Sequence, residues 1–121
     1  MESLIDESKR HWEKKRQGYF KKILLKGREI GPEGSVLQKV RFPKGHRIDA
    51  HYHRKQTEIF YVSRGSAVIE INGRKYKADE RRMFIIRPND LHAIDNSKGK
   101  EDFEMLIFKV NEPKENDFFE Q

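Results

Sequence analysis

Cysteine is absent from the 121 residues, which removes disulfides and thiolate metal sites together. Proline is scarce, and no apolar run approaches the ~18 residues of a membrane-spanning helix. The first sixteen residues, MESLIDESKRHWEKKR, lack the apolar stretch of a secretory signal, so the expectation is a cytoplasmic protein with no membrane partner. Hydrophobic residues are also in short supply, 35% of the chain against 38% charged. So few apolar residues suit a closed β-barrel, in which only interior positions need be apolar. The length fits a single domain over 1–121. No repeat, low-complexity tract or linker divides it.

Charge is what the chain has in abundance. The net charge is +6, with bases concentrated in the first half and acids after residue 100. Bases alternate with acids and no nucleic-acid-binding motif is present, which argues against a nucleic-acid partner. Plentiful Lys, Arg and Glu without Cys would suit a thermophile.

Ser3 followed by Asp6 resembles a capping box, and residues 4–16 contain neither Gly nor Pro. Leu4, Ile5 and Trp12 give the segment a thin apolar face. This predicts a short amphipathic helix over 4–16, packed on the outside of the barrel and ended by Gly18, with His11 on its exposed side. From residue 19 to 110 short strand-like runs recur about every ten residues, which points to an antiparallel barrel or sandwich. Asn72-Gly73, between IEI and RKY, predicts a two-residue type I′ hairpin. The acidic tail over 111–121 is expected to be loose, with Phe118 and Phe119 available to fasten it to this chain or to a neighbour.

Four of the five histidines lie between residues 46 and 92. His51 and His53, two apart on a strand, project to one face. Glu58 follows a four-residue gap that can turn the chain, and His92 follows the turn-like Pro88-Asn89-Asp90. Three imidazoles and a carboxylate suit one divalent transition metal: Fe, Mn, Ni, Zn, Co or Cu. On an octahedral ion this set leaves two positions open for water or substrate.

The pattern Gly45-(x5)-His51-x-His53-(x4)-Glu58-(x6)-Gly65 resembles the first motif of the cupin superfamily at every position and spacing. The second motif is partly present in RRMFIIRPNDLHAIDN, with Pro88, His92 and Asn96 in register. Arg81 and Arg82 stand where Gly and Asp are usual, Arg87 replaces a Pro, and Asn89 replaces a Gly. The resemblance covers about residues 35 to 110. It implies an all-β fold, the double-stranded β-helix or small antiparallel jelly-roll barrel, as a single-domain cupin. It also implies that His51, His53, Glu58 and His92 hold a metal inside the barrel, and that the protein forms a homodimer.

Around that metal, strand parity puts Arg47 and Asp49 on the face of His51 and His53 unless the loop after Gly45 breaks the alternation. Arg47 would then meet an anionic ligand, and Asp49 would orient an imidazole or move a proton. The alternative is a solvated pair at the strand edge. Arg87 is a candidate cation at the pocket rim. Phe60, Val62, Ile69, Ile71, Ile94, Leu106 and Phe108 are the expected apolar lining, with Phe60 a candidate substrate contact. Tyr52, Ile59 and Tyr61 are expected to face outward, where a second copy would cover them. Cupin motifs identify a site without identifying a reaction. One expectation is a metal-dependent isomerase or dioxygenase acting on a small carbonyl- or hydroxyl-bearing, anionic metabolite, with Glu58 or Asp49 transferring the proton. The other is a non-catalytic, metal-containing binding or sensing module.

Overall fold

The computed structural model describes residues 2–115 and 117–120. Eleven strands run in chain order: β1 Glu13–Lys14, β2 Phe20–Lys26, β3 Val36–Phe42, β4 Arg47–Tyr52, β5 Thr57–Arg64, β6 Ala67–Ile71, β7 Arg74–Ala78, β8 Met83–Ile86, β9 His92–Asp95, β10 Phe103–Val110 and β11 Phe119–Glu120. They form two antiparallel sheets, a six-stranded one in the order β1-β2-β3-β10-β5-β8 and a five-stranded one in the order β11-β4-β9-β6-β7. Consecutive strands repeatedly pass from one sheet to the other, so the inner faces enclose one core. No helix among the described residues is long and apolar enough to cross a membrane.

Alternation along the strands builds that core. In β3, Val36, Gln38, Val40 and Phe42 are buried and the residues between them are not. Val40, Phe60, Val62, Ile69, Ile86, Phe103 and Met105 are essentially sealed from solvent. Truncating a sealed aromatic such as Phe103 to Ala would cost about 3–5 kcal/mol. The β6–β7 hairpin is the predicted type I′ turn: Asn72 and Gly73 have φ of 50° and 85°. Gly65 is required for another reason. Its φ is +78°, and a Cβ there would lie 2.6 Å from the Asp102 carbonyl oxygen. Arg81 takes the left-handed conformation of the glycine it replaces, at φ 72°, and Asn89 does so at φ 70°.

Three local expectations need correction. Residues 4–16 do not form a helix. They contain one 3-10 turn, Glu7–Lys9, capped by Asp6 accepting from the Ser8 N–H, and then the short β1 that extends the sheet edge beside β2. Too little apolar surface lies on one side to hold a helix down, and Leu4 is left exposed. Cations hold the segment instead. Glu7 pairs with Lys22 and Lys39, each at 3.2 Å, and the Trp12 ring receives Lys22 and Arg41 at 4.9 and 4.7 Å.

In β10 the inward residues are Phe103, Met105 and Ile107, while Leu106 and Phe108 lie half-buried on the other face. That strand is apolar on both faces, so alternation alone does not tell inside from outside. The tail is also more ordered than expected. Its β11 pairs with β4, placing Phe119 opposite Tyr52, and the two rings stack at 5.3 Å. Tyr52 is thus covered by its own chain. The outward apolar surface is Ile59 and Tyr61, continued on the neighbouring edge strand by Ile85 and Met83.

Candidate metal centre and ligand cavity

The imidazoles are brought together by strand pairing. His51 on β4 lies opposite His92 on β9, and His53 follows at the end of β4. Glu58 reaches them from β5 in the opposing sheet. Their ring centroids lie 4.2 Å (His51–His92), 5.2 Å (His51–His53) and 5.4 Å (His53–His92) apart. One nitrogen from each histidine falls within 4.8 Å of the others. All four residues are buried.

Hydrogen bonding fixes which nitrogens converge. Each Nδ1 meets a backbone carbonyl: Asp49 for His51 at 3.0 Å, Asp117 for His53 at 2.8 Å, and Asp90 for His92 at 2.8 Å. An Nδ1–H that donates outward leaves the Nε2 lone pair free to bind a metal. His53 Nε2 lies 2.9 Å from Glu58 Oε1, and His92 Nε2 lies 3.7 Å from the same oxygen. Two lone-pair atoms 2.9 Å apart require a proton or a cation between them. Adjacent donors on an ion with bonds of about 2.1 Å are themselves about 3 Å apart in an octahedral arrangement. The donor set therefore fits a divalent metal.

Protonation agrees. Burial, aided by nearby His92 and His53, lowers the His51 pKa to about 4 against the pull of the Asp49 carbonyl and Glu58. Burial lowers that of His92 as well. For Glu58, burial acts upward, but the His53 hydrogen bond and the charges of Lys109, His53 and His92 outweigh it and hold the carboxyl near 2. Neutral His51 and His92 beside an ionised carboxylate are in the state that ligates metal.

These residues line one wall of a cavity of about 330 Å³ between the sheets. Its wall also includes Tyr19, Lys21, Gln38, Ile48, Gln56, Phe60, Lys109 and Phe118. Phe60 thus lies where expected, with its ring edge-on to His92 at 6.2 Å. Arg47, Asp49 and Arg87 do not line the cavity. β4 carries one extra residue between Ile48 and His51 relative to β9, and this bulge shifts the side-chain parity. Ile48 turns inward with His51, while Arg47 and Asp49 project outward as a solvated pair at 3.7 Å. Arg87 is exposed at the turn after β8, where its N–H donates to Asp90. Asn96 is structural, its amide donating to the carbonyls of Phe42, Pro43 and Glu101.

Phe118 and Phe119 fasten the tail to this chain, one of the two expected outcomes, and Asp117 adds contacts that spacing did not reveal. The Asp117 carboxylate accepts the backbone N–H groups of Arg54, Lys55 and Gln56 at 2.9, 2.8 and 3.2 Å. Phe118 stacks on His51 at 4.5 Å, and Phe119 receives the Arg54 guanidinium at 4.2 Å. The segment therefore straps the turn between the ligand-bearing strands.

A two-sheet antiparallel barrel with this His cluster inside defines the class of protein. The chain belongs to the cupin family: the cupin-domain family pattern matches residues 38–109. It is 25% identical over 81 residues to the tetracenomycin polyketide synthase protein TcmJ of Streptomyces glaucescens, a match covering 67% of this chain and 54% of that protein. Two solved structures resemble it along its whole length. One is a conserved protein with a double-stranded β-helix domain from Klebsiella pneumoniae, at a TM-score of 0.76 and 17% identity over 100% of both chains. The other is a variant of Streptomyces PAC13 with uridine, at a TM-score of 0.76 and 14% identity over 100% of this chain and 94% of that one. At these identities the likeness establishes the double-stranded β-helix fold.

Proposed function

We propose that His51, His53, Glu58 and His92 bind one divalent transition metal and that the adjoining cavity takes a small carbonyl- or hydroxyl-bearing anion for isomerase- or dioxygenase-type chemistry. The observation that carries this reading is the convergence of three oriented imidazoles on an ionised, buried carboxylate at the wall of a cavity large enough for a metabolite. When bound, the metal supplies Lewis-acid polarisation of a ligand oxygen. The chain's own groups do the rest. The carbonyls of Asp49, Asp117 and Asp90 hold the rings in register. Ile48, Phe60 and Phe118 exclude water. Tyr19, whose pKa burial and Glu58 raise, presents a neutral phenol. Lys15 and Lys109 pair with Glu13 and Glu112, which leaves Lys21 and Lys114 on the wall as the cations that meet an anion.

One observation favours a binding or sensing role without turnover. With Asp49 outside, three of the four carboxylates on the cavity wall are committed, Glu58 to the proposed metal, Glu112 to Lys109 and Asp117 to three backbone N–H groups, which leaves the exposed Glu115 for proton transfer. Metal analysis of the purified protein, oxygen uptake and a metabolite thermal-shift screen separate the readings. Iron with oxygen uptake supports dioxygenase chemistry. Zinc or nickel without uptake supports isomerase chemistry or binding. His53→Ala should lose most of the metal, and chelation should lower the melting temperature. Equal metal content and melting point before and after chelation would refute the metal centre.

We further propose that the protein is a homodimer joined through the apolar surface of Ile59, Tyr61, Met83 and Ile85 on the β5–β8 sheet edge. Light scattering at micromolar concentration should exceed the 14.5 kDa monomer mass, and Met83→Lys should reduce it to that value.

A further inference from the structure

Burying a polar group without a partner is unfavourable, so an unpaired amide at a cavity wall marks where a ligand's polar atoms belong. Two such amides lie in the cavity beside the proposed metal centre. Gln38 projects inward from β3, opposite Ile107 of β10, and Gln56 lies in the turn between β4 and β5. Each is 4% exposed and each lines the cavity. Gln38 Oε1 and Gln56 Nε2 have no hydrogen-bond partner among the described residues and lie sealed just beneath the cavity surface, so a ligand pairs with them once the amide turns about its last bond. A core needing only volume at Gln38 would be served by Leu or Met, as the flanking Val36, Val40 and Phe42 are served by apolar side chains.

Lys21 shares the wall. It pairs in register with Val40, two residues along β3 from Gln38, and so lies on the same inner face. The lysines beside it are neutralised, Lys15 by Glu13 and Lys109 by Glu112, each at 3.1 Å, whereas no carboxylate of the described residues pairs with Lys21. Burial and the charges of Lys109 and Lys15 lower its pKa, which an incoming anion would relieve. No arginine lines the cavity. The wall's four lysines, Lys15, Lys21, Lys109 and Lys114, are matched by Glu58, Glu112, Glu115 and Asp117. So little excess positive charge suits a monoanion, while a phosphoryl dianion calls for more or for a bidentate guanidinium. An amide offers one donor group and one acceptor, so two amides match a hydroxyl or carbonyl together with a carboxylate.

We infer that Gln38, Gln56 and Lys21 form a subsite for a small hydroxy- or oxo-carboxylate, with Lys21 facing the carboxylate and the two amides reading its oxygen substituents. The inference rests on the reading of this cavity as the ligand site, and it adds the chemical class of that ligand.

The test uses calorimetry on the full chain, metal-loaded and metal-stripped. Glycerate, threonate and gluconate are compared with glycerol, threitol and glucose, and with glycerol phosphate. The carboxylates should bind at least tenfold more tightly than their neutral counterparts and than glycerol phosphate. Lys21→Met should weaken carboxylate binding roughly 10- to 100-fold, and Gln38→Leu and Gln56→Leu about 5- to 10-fold each. All three variants should keep wild-type metal content, which separates this subsite from the metal centre. A structural role for Gln38 predicts that Gln38→Leu lowers the melting temperature. An amide kept for a ligand predicts an unchanged or higher melting temperature alongside the lost affinity. Carboxylates that bind the wild type but not the metal-stripped protein still support the subsite; carboxylates that bind without any metal in the purified protein support it while sinking the metal reading. Neutral polyols or glycerol phosphate binding as tightly as the carboxylates would overturn the inference, as would affinities unchanged in all three variants.

Discussion

The C-terminal strap makes Asp117 an informative residue to perturb. Its carboxylate accepts three N–H groups from the turn between β4 and β5, and its carbonyl accepts the His53 Nδ1–H. Hydrogen bonds to a charged acceptor contribute about 1.5–3 kcal/mol each, but these three share one side chain. Arg54 and Lys55 are exposed, so water can replace their bonds, while the Gln56 N–H is buried and would be left unpaired. Asp117→Ala should therefore cost about 2–3 kcal/mol rather than the threefold sum. Unfolding entropy of roughly 2.1 cal/mol/K per residue comes to about 0.25 kcal/mol/K for this chain, so the melting temperature should fall by about 8–12 °C. Loosening the strap also frees His53 from the carbonyl that orients it, and losses of this kind weaken metal binding by about 10- to 100-fold. Scanning calorimetry with and without metal reads the first effect, and competition with a chromophoric chelator reads the second. Asp117→Asn, which keeps one acceptor and loses the charge, should fall between wild type and Asp117→Ala. A melting temperature within 2 °C of wild type together with unchanged metal affinity would refute the idea that the tail holds the site.

Arg81→Gly should stabilise the protein by about 0.5–1 kcal/mol, a gain of some 2–4 °C, because the residue sits at φ 72° where a side chain is strained; a lower melting temperature would show that the Arg81 side chain contributes more than the strain costs. Metal-free protein should lose stability as the pH falls from 6.5 towards 4. Over that window the unfolded chain takes up a proton at His51 that the folded chain refuses, so the unfolded state binds more protons, and the 2.5-unit difference corresponds to about 3 kcal/mol. His51→Asn should flatten the melting-temperature profile there, and an equally steep profile would count against the assignment. Arg47→Ala and Asp49→Ala should leave ligand and metal affinity within about twofold of wild type, since both side chains point to solvent; a tenfold loss from either would mean that the bulge in β4 does not persist in solution.

Much of the fold was legible because its determinants are local. Asn72-Gly73 specifies its turn through two residues that tolerate positive φ, and each strand run from Tyr19 to Val110 is bounded by its own turn residues. The four candidate ligands were legible because their spacing across two strands and a turn resembles a known motif. Asn89, standing where the family pattern has Gly, keeps the left-handed conformation at φ 70° because Asn tolerates it. The N-terminal segment misled because absence of Gly and Pro permits a helix without stabilising one; contacts with Lys22, Lys39 and Arg41, distant in sequence, settled its conformation.

The sequence by itself determined the strand succession, the hairpin and the identity of the residues that can hold a metal. These depend on backbone preference and short-range spacing, which a chain carries wherever it goes. Only the tertiary structure decided which neighbours of those residues share their cavity. A single extra residue in β4 reverses the face of everything before it, so Arg47 and Asp49 leave the site and Ile48 enters. In β10, apolar on both faces, the pairing with β3 and β5 chose Ile107 over Leu106 for the interior. Gln38, Gln56 and Lys21 reach one cavity from separate segments because side chains far apart in sequence meet only when the sheets close.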